Sequence, residues 1–250
     1  MNPGVHVQPS LALAAALLSF GMLLNYPSMA QTDGQAVSVS GNIQVTQNGI
    51  SPVPAFSLGR PALIANARVR KGRFYVQPEM NFGLDARPWT INLRPGFDVI
   101  RRQKYTITLG ANLSLFFKRL GPNVLQQEYE VQRYSLFELN TEFRLRENRK
   151  LIFLYWHTTR NDQYKFHFGQ FTMLTYEMKN LRLGKKGSLT IRANAFYVNN
   201  QVPFVGFFLS HITTYQRERW KFNLFGQTVF PLRAEPNGGI LWNTGVNIPF

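Results

Sequence analysis

No cysteine occurs in the 250 residues. That excludes a disulfide framework, a thiolate nucleophile, a cysteine metal site and a lipid-modified cysteine. Acidic residues are scarce: 13 Asp and Glu stand against 28 Lys and Arg, for a formal net charge of +15. Long apolar runs are missing too. The one mostly apolar stretch, Leu11 to Leu24, is too short to span a bilayer as a helix. Mean hydropathy is slightly negative, so a helical membrane protein is excluded. There is no phosphate-binding glycine loop and no HExxH motif, and the four histidines (6, 157, 167 and 211) are scattered. No metal and no cofactor is expected.

What the chain does have is aromatic residues and alternation. Aromatics make up 14% of it, with 21 Phe and 10 Tyr, while charged residues are only 16%, well below the roughly 25% of ordinary soluble domains. Twelve segments read as strands. In six of them apolar and polar residues alternate cleanly: 37–46, 73–84, 89–98, 105–115, 137–145 and 188–195. Six more, 62–70, 150–159, 164–183, 204–215, 220–230 and 239–250, alternate less strictly. Segments 150–159 and 204–215 are apolar on both faces, as suits a filled interior rather than water. Twelve strands with bulky apolar faces are more than one small soluble core can bury. A periplasmic sandwich or lipocalin-like barrel therefore fits less well than a sheet closed in lipid.

The two ends of the sequence agree with this. Residues 1–30 contain the apolar stretch and then Ser28-Met-Ala30, small residues where a signal peptidase reads. They are expected to be a cleaved secretory signal, although the first basic residue is Arg60. The barrel is expected over 31–250. At the other end, Ile240, Trp242, Thr244, Val246, Ile248 and Phe250 alternate with Asn243, Gly245 and Asn247. Asn243, Gly245, Ile248 and Phe250 resemble the C-terminal signal of bacterial outer-membrane β-barrel proteins. The resemblance implies an all-β, antiparallel, up-and-down transmembrane barrel, here of twelve strands, in the outer membrane of a Gram-negative cell. It also implies the barrel-assembly machinery and outer-membrane lipids as partners.

Charge adds orientation and a candidate lumen. With twelve strands and both ends in the periplasm, the short turns fall near 71–72, 101–103, 147–149, 184–187 and 216–219, and basic residues crowd all five. A basic ring there suits the headgroups of the inner leaflet. Export argues against nucleic acid as the partner of so basic a chain. On the alternation, Phe74, Trp89, Phe97, Phe143 and Trp220 face lipid. Arg68, Glu79, Arg94, Asp98, Glu138, Glu142, Arg144, Lys165, His167 and Arg192 face the lumen. Mixed charges either fill such a lumen as ion pairs or line a narrow pore for small anionic solutes. The reading is a non-enzymatic barrel, either structural or a narrow anion-preferring channel. The alternative is catalytic. His157-Thr-Thr159 resembles, in its histidine, the His-x-Ser of outer-membrane phospholipases and lipid A deacylases, which would make the chain a lipid hydrolase using His157.

Overall fold

The computed structural model describes residues 36–119, 129–161, 166–199, 205–235 and 238–250, and for 55, 160, 161 and 166–168 the backbone alone. Twelve strands follow in chain order. They are β1 (Val37–Thr46), β2 (Ala62–Lys71), β3 (Phe74–Gly83), β4 (Pro88–Arg101), β5 (Tyr105–Arg119) and β6 (Tyr129–Arg146). They continue as β7 (Arg149–Asn161), β8 (Phe166–Leu183), β9 (Gly187–Asn199), β10 (Val205–Arg217), β11 (Asn223–Glu235) and β12 (Leu241–Pro249). Each pairs antiparallel with its chain neighbours, and β1 pairs with β12, so the sheet closes into a barrel. Because the strand number is even, both ends of the barrel chain lie at the end that carries the short turns (the turn end). The longer connections lie at the other, the loop end.

Alternation divides each strand between two environments. The outward parity leaves Phe74, Phe97, Leu109, Leu113, Phe137, Phe143, Phe207 and Trp242 exposed on the outer wall. That band of apolar surface suits hydrocarbon, not water. The inward parity carries both the polar residues and a buried apolar cluster. Leu154, Trp156, Phe171, Phe196, Val198, Phe208 and Val229, from β7 to β11, pack together inside the barrel. Rings step from strand to strand: Trp156 stacks on Phe171 at 4.7 Å, Phe171 meets Phe196 at 5.6 Å, and Phe196 stacks on Phe208 at 5.1 Å. The inner faces of 150–159 and 204–215 are apolar for this reason.

The closing seam depends on two glycines. Gly41 N donates to Phe250 O at 2.9 Å and Phe250 N donates to Gly41 O at 3.0 Å. A Cβ on Gly41 would strike the Phe250 ring, and one on Gly245 would strike Val45 O and the ring of its register partner Phe225. Each glycine thus leaves room for an aromatic ring laid flat across it. Inside the barrel, side chains continue the seam. Asn66 donates to Asn42, Asn42 donates to Asn247, and Thr46 donates to Asn243.

One tryptophan departs from the expected lipid face. Trp89 is the extra residue of a bulge, since Asn81 pairs with Thr90 while Phe82 pairs with Pro88. The bulge turns its side chain out of the alternation, and it is 3% exposed. Trp220 precedes β11, which begins at Asn223. It sits in the turn after β10, where its amide donates to Arg217 O and its ring stacks on Phe222 and meets the outward-facing Tyr215 edge-on.

Two outcomes check this architecture. Leu109→Arg, on the outer wall of β5, is expected to cost about 2–4 kcal/mol near the bilayer midplane; a cost near zero in reversible unfolding from lipid would mean that face is not in hydrocarbon. Gly245→Val is expected to abolish the heat-modifiable folded band in electrophoresis. Gly226→Ala, where nothing lies within 4 Å of the added Cβ, is expected to keep it.

Candidate functional site

The lumen is built in three levels. At the loop end, the β1–β2 connection (L1, residues 47–61) folds inward. Gly49 N donates to Arg60 O at 2.9 Å and Leu58 N to Gly49 O at 2.7 Å, which pins the loop into a compact lobe. Asn48 N donates to Asn243 Oδ1 at 2.9 Å, which ties the lobe to β12. Apolar side chains then hold it inside the mouth. Ile50 is buried in the ring cluster of β7–β10. Phe56 packs against Phe116 at 5.0 Å and Tyr134 at 5.4 Å, both on inward parity. The displaced Trp89 donates Nε1–H to Phe56 O at 2.8 Å. Below L1 lies a cavity of about 290 Å³, with Asn81, Asn92 and Asn112 on one wall and Trp156 and Phe171 on the other.

The middle level is a set of paired charges. Glu79 accepts from Asn81 and Asn92, each at 2.9 Å, and lies 3.7 Å from Arg94. The Arg94 guanidinium reaches to 5.8 Å from the Trp156 ring, and β4 and β7 are three strands apart. Trp156 Nε1–H in turn donates to Glu138 at 2.7 Å. Together these groups narrow the lumen between the loop-end cavity and the turn-end one.

The turn end is a vestibule of about 640 Å³. Tyr75 lies flat against the wall over Gly96, whose missing Cβ makes the space. The Arg68 guanidinium stacks 4.4 Å from the Tyr75 ring centroid and donates to Gln77, a neutral partner, at 2.7 and 2.9 Å. The two vestibule acids are already engaged. Asp98, almost fully buried, pairs with Arg70 at 2.6 Å and accepts from Thr108 at 2.9 Å. Glu142 pairs with Lys150 at 2.7 Å. Arg68, Arg101, Arg102 and Arg144 make no ion pair among the described residues. In the wall beside the vestibule Glu177 is fully buried among Arg192, Lys150 and Lys179.

Arg68, Asp98, Glu142 and Arg144 therefore line the vestibule, Glu79, Arg94 and Glu138 form the middle level, and Arg192 is held by Glu177. Lys165 lies outside the described residues, and of His167 only the backbone on β8 is described. Sequence reasoning left out Arg70, Tyr75, Glu177 and the inward lobe of L1. Arg70 shares the parity of Arg68, and Ile50, Val53 and Phe56 are apolar residues in a loop; both signals were present. No group of His, Asp and Glu able to hold a metal occurs among the described residues. His157 and Thr159 lie on the outer wall of β7. Gln170 is the register partner of His157, and the Thr159 hydroxyl donates to Ser135 O at 3.2 Å.

Comparison with known proteins places the fold. No family model matches the chain, and no curated protein does. Among solved structures, the KdgM porin in complex with disordered oligogalacturonate is similar. Its TM-score is 0.56 at 9% identity, over 84% of this chain and 99% of that one. The KdgM porin alone gives a TM-score of 0.54 at 9% identity over the same shares. A COG4313 outer membrane channel from Pseudomonas putida F1, 12% identical over 90% of this chain and 98% of that one, reaches only 0.45. With its closed twelve-strand sheet and apolar outer wall, the chain has the fold of an outer-membrane β-barrel.

The seating of L1 can be tested directly. Ile50→Asp places a carboxylate in the ring cluster, where an unpaired charge is costly. The expected result is release of L1, read as faster protease cleavage within 47–61 and a larger single-channel conductance. Unchanged cleavage and current would mean that Ile50 does not hold the loop.

Proposed function

We propose that this barrel is a narrow channel with a preference for anions, entered from the periplasm through the arginine vestibule and narrowed outside by L1. One observation carries the reading: four vestibule arginines lack an acidic partner among the described residues, while Asp98 and Glu142 are already engaged. Fixed positive charge beside a low-dielectric wall concentrates anions and repels cations. Arg94 and Arg192 contribute less, because Glu79 and Glu177 offset them. The KdgM porin is described with an oligogalacturonate, a polyanion. Its likeness to this chain extends to the fold, so the sign of the lumen rests on the arginines.

Partners follow from the same reading. The strand Asn243, Gly245, Ile248 and Phe250 is the segment offered to the barrel-assembly machinery, and the need for glycine beneath Phe225 supports this. The basic turns meet the periplasmic leaflet. The barrel is read as non-enzymatic. The Thr159 hydroxyl is engaged by a backbone carbonyl, which leaves the His157 pair short of a free nucleophile.

Reversal potentials across a salt gradient test the reading. The expected result is a small, anion-selective conductance whose selectivity weakens as salt rises past about 0.1 M, where the Debye length is about 10 Å. R68Q/R101Q is expected to lose most of the preference and R94Q to lose little. Cation selectivity would overturn the proposal, and absence of current would support a filled, structural barrel.

A further inference from the structure

We propose that the turn end holds a binding site for a phosphate-bearing ligand, in a cavity beside the vestibule that shares Arg102 and Arg144 with it and adds Lys104, Arg146 and Arg149. The cavity, about 180 Å³, lies between the β4–β5 turn (102–104) and the β6–β7 turn (147–148). Backbone bonds fix its walls: Arg144 N donates to Lys104 O at 2.7 Å and Lys179 N to Asn148 O at 2.9 Å. Arg102, Lys104, Arg144, Arg146 and Arg149 converge on it, and none makes an ion pair among the described residues. Three acids face the same space. Glu142 is taken by Lys150, and Glu177 by Arg192, Lys150 and Lys179. Only Glu147, exposed in its turn, opposes the five free cations. Arg149 Nε is buried without a hydrogen-bond partner among the described residues.

The donor set favours phosphate over carboxylate. One arginine fork already satisfies both oxygens of a carboxylate. A phosphate presents at least three acceptor oxygens and up to two charges, so several guanidiniums can share it. The same chemistry belongs to a phospholipid headgroup of the adjoining leaflet and to a soluble phosphate compound.

Calorimetric titration of the detergent-solubilised barrel with pyrophosphate, at low salt, tests the site. Saturable binding is expected. R146Q/R149Q, which spares the vestibule, is expected to weaken it about tenfold or more, since charge-assisted hydrogen bonds are lost. R68Q/R101Q, which spares this cavity, is expected to leave it nearly unchanged. Folding of each variant is checked by heat-modifiable electrophoresis. In lipid, binding to barrels in phosphatidylcholine vesicles is compared with binding in vesicles that also contain phosphatidylglycerol. Loss of pyrophosphate binding only in the latter identifies a headgroup as the occupant, and equal binding identifies a soluble phosphate. No saturable binding, or equal affinity in folded R146Q/R149Q and wild type, overturns the proposal. Because the readout is binding, a barrel that passes no current can still confirm it, and an anion-selective barrel can still fail it.

Discussion

Everything in this molecule depends on the hydrogen-bonded contact between β1 and β12. In hydrocarbon an unpaired backbone amide has no water to turn to, so a sheet can stand there only if it has no edge. The seam is the shortest of the twelve contacts in paired residues, five from Asn42↔Pro249 to Thr46↔Gly245. Its strength is supplemented by the amide chain Asn66–Asn42–Asn247 inside and by Phe250 over Gly41 outside. Side chains on both faces thus reinforce the place where the backbone contributes least.

The barrel interior solves two problems on two walls. From β7 to β11 it is closed by rings and branched side chains, and this apolar packing gives the barrel a core of its own. From β2 to β6 it is lined by polar groups that hold one another. L1 bridges the walls at the loop end: Ile50 belongs to the apolar side, and Phe56 sits against Phe116 and Tyr134 on the other. In the middle of the lumen Arg94 stands against two acids, Glu79 and Glu138, whereas toward the turns arginines outnumber the acids left to them. The sign of the interior therefore changes along the axis.

Much of the fold was legible in the sequence because lipid and lumen impose opposite demands on successive residues. The clean runs of β3, β5 and β9 carried that signal in full. Legibility failed where the period broke. At Trp89 an extra residue in β4 shifts the count, and in β8 the register shift between Met178 and Leu181, with Asn180 at φ 54°, blurs the strand that holds Glu177. Arg70 looked like a turn base because it lies one residue from the end of β2. The candidate site was legible in part: parity named inward residues such as Arg68, Arg94 and Asp98. It could not tell which of them find partners, because the pairs depend on register and side-chain reach between strands one or two apart, as in Glu79–Arg94 and Arg70–Asp98.

In the proposed channel, the flattened Tyr75 over Gly96 bears on how ions would move. By lying against the wall it gives Arg68 a fixed aromatic seat, so the positive charge at the turn end is a stationary feature of the wall. At the loop end the lumen is flanked by the apolar packing of L1. A conduit with immobile charge at one mouth and apolar cover at the other is electrically asymmetric. In the proposed channel, the ion-enriched mouth would act as a reservoir for flow in one direction only, and the current would rectify.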